Sequence, residues 1–218
     1  MTEPSGLQLI GAVRLREEHA SGALLLDTRP AEQFAALHVH GSLQISLPGR
    51  FAAWAAILIE RAARLVLIAE DAGRAEEARE RLERVGLGRV IGYSVVDASH
   101  WRNAGMALAR LPVRRCKDIH ATLPHPVLQL IDARSRAEWL RGHLPGAISM
   151  PLLELESKAH AIDPSRHSLI YCHEGFRATT AASILLRRGV RDVGVLLDGV
   201  EGWQQLGLPL RTPEAAPA

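Results

Sequence analysis

The chemistry this chain can do is concentrated around Cys172. It is followed by His173, Glu174, Gly175, Phe176 and Arg177, in the run Tyr171-Cys-His-Glu-Gly-Phe-Arg177. Cysteine acts as a nucleophile through its thiolate, which is favoured where backbone N–H groups and a helix N-terminus converge on the sulfur. Gly175 permits a tight loop. The planar guanidinium of Arg177 can clamp an anionic substrate or stiffen the loop through its carbonyl oxygens. The pattern suits covalent catalysis, with Cys172 and Arg177 as catalytic candidates. His173, Glu174, Gly175 and Phe176 are the substrate-binding candidates. A cysteine buried inertly at a strand end needs neither the glycine nor the arginine.

The elements that position this loop show themselves through a repeat. Asp27, Arg29, Phe34, His38 and Gly41 recur as Asp132, Arg134, Trp139, His143 and Gly146, all at an offset of 105. Further on, Arg74 matches Arg177, and Trp101 with Gly105 matches Trp203 with Gly207. Each copy begins with a short apolar strand (24–26; 127–131), an Asp-x-Arg turn and a short helix ending near the histidine. A small strand (42–45; 147–150) follows. A third strand (65–68; 169–171) then runs into a helix (75–85; 179–188). A fourth strand (90–93; 193–196) precedes a Trp-bearing helix. Strands alternating with helices predict a parallel sheet with helices on both faces, an α/β class. Ligands of such sheets bind at the carboxyl ends of strands, where Cys172 stands. Asp132 and Arg134 are then loop-supporting residues, and His38 and His143 brace turns. The domains are expected at 1–110 and 119–212, with a join around 109–118 and a frayed tail at 213–218.

Composition narrows the partners. Lys+Arg 26 against Asp+Glu 24 leaves a net charge of +2, without the basic excess of a nucleic-acid binder. The longest apolar run, 51–59, is too short to span a bilayer. The first residues lack the layout of a signal peptide. Two cysteines make no disulfide framework. The expectation is a cytoplasmic protein without nucleic-acid or membrane partners. The histidines show no ligand spacing, so no metal is expected. Cys116, between Arg115 and Lys117, is either an incidental linker cysteine or a second reactive thiol.

The Cys172–Arg177 loop, the Asp132-Ala-Arg134 turn, Gly142-His-Leu-Pro-Gly-Ala147 and Asp198-Gly-Val-Glu-Gly-Trp203 together resemble the rhodanese-like sulfurtransferase family. The resemblance covers nearly the whole chain as two tandem domains. The pair is also similar to the tandem rhodanese region fused to metallo-β-lactamase-type persulfide dioxygenases, here without the metal domain. The resemblance implies that Cys172 takes a sulfane sulfur from thiosulfate or a persulfide as a Cys172 persulfide. A thiol, sulfite or cyanide acceptor then removes it, and no cofactor is needed. Related phosphatases carry a loop one residue longer, and Glu174 would repel a phosphate dianion. The first copy departs from the pattern. Ala69 replaces the nucleophile in Ala69-Glu-Asp-Ala-Gly-Arg74, a loop of matching length, and Val96–His100 lacks the glycines of the second copy. The first domain is therefore expected to be inactive. The alternative implied is a non-catalytic persulfide carrier or regulatory partner, for instance of a separate persulfide dioxygenase.

Overall fold

The computed structural model describes residues 6–213. The chain divides into two compact units between Arg110 and Leu111. Most of the expected tail falls outside the described residues, as do the first five residues of the segment tested for a signal peptide.

The first unit runs α1 (Ala12–Ala20), β1 (Leu24–Asp27), α2 (Ala31–Ala36), β2 (His38–Val39), β3 (Leu43–Gln44) and α3 (Phe51–Leu58). It continues with β4 (Leu65–Ala69), α4 (Ala72–Glu83), β5 (Val90–Val95), α5 (Ala98–Asn103) and β6 (Leu108–Ala109). The four-stranded sheet has the order β3-β1-β4-β5 and is parallel throughout. Every residue of β4 is buried, the mark of a central strand covered on both faces. In α4, Ala75, Ala78 and Leu82 face the sheet, while the other face carries Arg and Glu. One element was not foreseen: β2 and β6 form a small antiparallel pair.

The second unit runs β7 (Val113–Arg114), α6 (Cys116–Ile119), β8 (Leu128–Asp132), α7 (Arg136–Arg141), β9 (Ile148–Ser149) and α8 (Leu155–Lys158). Next come β10 (His167–Tyr171), α9 (Phe176–Arg187), β11 (Val193–Leu196) and α10 (Gly199–Gln205). Its five-stranded sheet has the order β7-β11-β10-β8-β9, again all parallel. The outer strand β7 and helix α6 occupy the stretch expected to be a join. An apolar-pattern reading passed over it because only Val113, Cys116 and Ile119 interrupt a charged run. The long helices start about three residues before the expected 75 and 179, since their first turns carry few apolar residues to mark them. In α9, small residues such as Ala178, Ala181 and Ala182 are buried, so the helix lies close against the sheet. The core gathers Leu130, Leu169, Tyr171, Leu196 and Trp203 around Cys116. No described helix is long and apolar enough to cross a membrane.

Candidate active site

Strand β10 ends at Tyr171, and the chain passes through Cys172–Gly175 before α9 begins at Phe176. Cys172 is only 2% exposed. Its Sγ accepts a hydrogen bond from the Gly175 amide at 3.1 Å. Gly175 caps α9 with φ 89°, in the left-handed region. A Cβ there would lie 2.5 Å from the Leu197 carbonyl oxygen, so both the turn and the wall behind it require glycine. No side chain caps α9, which leaves the amides of its first turn for the sulfur or for what the sulfur binds.

The wall is built by the end of β11. The Val200 amide donates to the Cys172 carbonyl at 3.0 Å, and the Glu201 amide to that of His173 at 3.2 Å. Such close approach depends on Gly199 (φ 46°), whose Cβ would sit 2.2 Å from the Cys172 oxygen. The Gly-rich motif after β11 thus pins the loop from behind.

Arg177 takes a different partner from those expected. Its guanidinium makes a bidentate pair with Glu138 at 2.8 and 2.9 Å, neither side chain more than a quarter exposed. Glu138 is itself oriented by a capping box at the start of α7. The Ser135 amide and hydroxyl donate to its Oε2 at 2.9 and 2.7 Å. The Arg177 guanidinium, helped by Ser135, holds the Glu138 carboxyl down at about 2. Sequence reasoning missed Glu138, although Ser135-x-x-Glu138 is a readable capping signature.

Asp132 and Arg134 are buried and paired with each other, the guanidinium at 2.7 Å from Asp132 Oδ2 and also donating to the Gly142 carbonyl at 2.7 Å. They fix the turn entering α7 and the segment leaving it. Tyr171, which precedes the Cys172 loop, has its ring 5.9 Å from the Arg134 guanidinium, and its hydroxyl accepts from the Leu144 amide. His143 stacks on Trp139 at 4.0 Å and bonds its carbonyl, as His38 does with Phe34. His173 and Glu174 are exposed, 3.8 Å apart at their charged ends. Phe176 is 47% exposed, an apolar ring displayed at the edge of the loop.

Cys116 is not a loose linker residue. It is fully buried, its Sγ donates to the Gly199 carbonyl, and burial together with the Asp198 carboxylate pushes the thiol far up.

The corresponding loop of the first unit is built differently. Strand β4 continues through Ala69, and α4 begins at Ala72, so only Glu70 and Asp71 connect them. The distance to Arg74 matches the second copy in sequence, but the open loop is gone. The Asp71 side chain caps α4, accepting from the Arg74 amide at 2.8 Å. Arg74 pairs with Glu77 instead of a neighbouring strand's carboxylate.

Residues 116–206 match the family model of the rhodanese-like domain. A sulfurtransferase of Allochromatium vinosum is 33% identical over 85 residues, covering 39% of this chain and 79% of that protein. The putative sulfur carrier protein YrkF of Bacillus subtilis is 30% identical over 76 residues, 35% of this chain and 41% of that one. Among solved structures, a thiosulfate sulfurtransferase from Pseudomonas aeruginosa aligns with 96% of this chain and 44% of its own, at 24% identity and a TM-score of 0.43. The family-model match and the Allochromatium relative agree on one identity: the chain belongs to the rhodanese-like family.

Proposed function

We propose that the protein is a sulfurtransferase that works by double displacement at Cys172. The observation that carries this reading is the sulfur itself, at the end of a central parallel strand with the Gly175 amide 3.1 Å away and an uncapped helix behind it. The Cys172 thiolate attacks the outer sulfur of a donor. The donor's S–S bond breaks, and sulfite or a thiolate leaves with the bonding electron pair. The terminal sulfur of the resulting persulfide lies among the loop amides, with His173, Glu174 and Phe176 at its rim. An acceptor thiolate, sulfite or cyanide then attacks that sulfur, and the Cys172 thiolate departs. Two easier steps replace one difficult transfer, and neither needs a cofactor.

Charge favours a persulfide over thiosulfate as donor. Arg177 is already neutralised by Glu138, and Glu174 adds an exposed carboxylate, so little positive field faces a dianion. The exposed ring of Phe176 suits an organic donor. In this reading the first unit is a second rhodanese-like copy without a nucleophile, and the protein works in the cytoplasm, where free thiols persist. A carrier role, handing sulfur to a partner such as a separate persulfide dioxygenase, is the second reading. The name of the Bacillus subtilis relative favours it.

The test is intact mass and turnover of the full chain with glutathione persulfide or thiosulfate as donor and cyanide as acceptor. A cyanide-removable gain of about 32 Da, one sulfur on Cys172, is expected. Turnover identifies an enzyme, whereas the adduct without turnover identifies a carrier. Cys172→Ser should abolish both, because a serine hydroxyl stays protonated. Retention of either by that variant overturns the reading.

A further inference from the structure

The first unit holds a cavity where the second holds a carboxylate. In the second unit, Val113 on β7 pairs with Val195 on β11. Three residues beyond each stand Cys116, which opens α6, and Asp198. The Asp198 carboxylate accepts from the Cys116 amide at 3.0 and 3.1 Å, so it occupies the start of that helix. In the first unit, Leu9 pairs with Tyr93 in the same parallel sense. Three residues beyond each stand Ala12, which opens α1, and Val96. An isopropyl group therefore stands where the matching position carries a carboxylate. Gly11 supplies no side-chain cap to α1, and the first turn contains no acidic residue.

A cavity of about 360 Å³ lies there, within the size range of small-molecule sites. Ile10, Ala12, Val96 and Trp101 make its lining mostly apolar, and Ser94 and His100 add polar groups. Ser94 is only 3% exposed, yet its hydroxyl makes no hydrogen bond among the described residues. A hydroxyl without a protein partner on a cavity wall can donate a hydrogen bond to a ligand atom. Asp97 also borders the cavity and opposes an anion. Its oxygens are already taken by the amides of Ser99 and His100, the Ser99 hydroxyl and, at 2.5 Å, His100 Nδ1.

We infer that this cavity binds a small carboxylate with an apolar body. The body lies against Ile10, Val96 and Trp101. The carboxylate takes the position at α1 that Asp198 has at α6, and accepts hydrogen bonds from the first-turn amides and the Ser94 hydroxyl. The cavity is lined by first-unit residues and uses none of the Cys172 loop.

The probe is benzoate, with benzamide as its uncharged counterpart, titrated into the full chain and followed by amide NMR. Saturable shifts at Gly11, Ala12 and Ser94 are expected, with benzamide at least tenfold weaker. Val96→Asp restores the arrangement of the second unit and should weaken benzoate at least tenfold. Ser94→Ala should weaken it at least threefold, and decides the matter if the first variant does not fold. Absence of saturable shifts at those amides overturns the inference. So does equal affinity for benzamide, or benzoate affinity unchanged in either variant.

Discussion

Replacing Glu138 by Gln removes the charge that holds Arg177 beside the Cys172 loop. The folded-state carboxyl sits at about 2 against an ordinary 4.5. That depression corresponds to about 3 kcal/mol of preference for the charged form. Part belongs to Ser135, whose amide and hydroxyl donate to the same oxygen. The pair is also about a quarter exposed and partly screened. The share carried by Arg177 is therefore about 1–2 kcal/mol. A carboxyl lowered on folding stabilises the native state above its unfolded value, and that contribution fades as pH falls from 4.5 toward about 2. Glu138→Gln has no such group to titrate. The stability gap between the two proteins should be about 1–2 kcal/mol at neutral pH and should narrow on acidification to about pH 3. Urea unfolding of both proteins at the two pH values measures the gap, and other carboxyls cancel in the difference. A gap of equal size at both would refute the ionic account of the Arg177–Glu138 pair.

Three further perturbations address other parts of the site. Gly175→Ala places a methyl 2.5 Å from the Leu197 oxygen at φ 89°, so it should cost about 1–3 kcal/mol in unfolding experiments and reduce sulfur transfer by more than tenfold. Cys116→Ala deletes a buried sulfur far from donor access, so unfolding should show a loss of about 1–2 kcal/mol while turnover at Cys172 stays within about twofold. Ala69→Cys in a Cys172→Ser background should form no persulfide by intact mass, because the sulfur would sit on a strand beside Glu70 and Asp71 without an open loop. Activity within about tenfold of wild type would show that only the nucleophile was missing.

Much of the site was legible in the chain because it is punctuated. Cys172, Gly175 and Arg177 lie within one strand–helix junction, where local geometry follows from local residues. The repeated Asp, Arg, aromatic and histidine positions also announced a turn that both copies keep. What escaped depended on pairing between segments distant in sequence. Glu138 reaches Arg177 across 39 residues because β8 and β10 are neighbours, so the start of α7 lies beside that of α9. The capping signature located the helix start but not the second partner of its carboxylate. Cys116 reads as part of a basic linker until β7 adds to the sheet edge and carries the following turn into the core. The first unit's short loop was hidden for a related reason: counting residues from Ala69 to Arg74 gives the same number as from Cys172 to Arg177. Only the side chain of Asp71, by capping a helix that starts one residue early while β4 runs one residue late, reveals that the space has closed.

The two copies differ in the side-chain partners at two matching helix starts. Every helix begins with amides that no residue of its own can satisfy, and these attract negative charge. In the second unit, Asp198 attends the start of α6, while α9 is uncapped and its Gly175 amide is given to the Cys172 sulfur. In the first unit the assignment is exchanged. Asp71 satisfies α4 at the degenerate loop, while α1 has no cap and faces a cavity with the unbonded hydroxyl of Ser94. One scaffold thus carries its available donors at the central strand in one copy and at the sheet edge in the other. Replacement of a single carboxylate at each place, Asp198 by Val96 and Asp71 by Glu174, accompanies the exchange. Glu174, though acidic like Asp71, lies exposed in an open loop and accepts no capping hydrogen bond from α9.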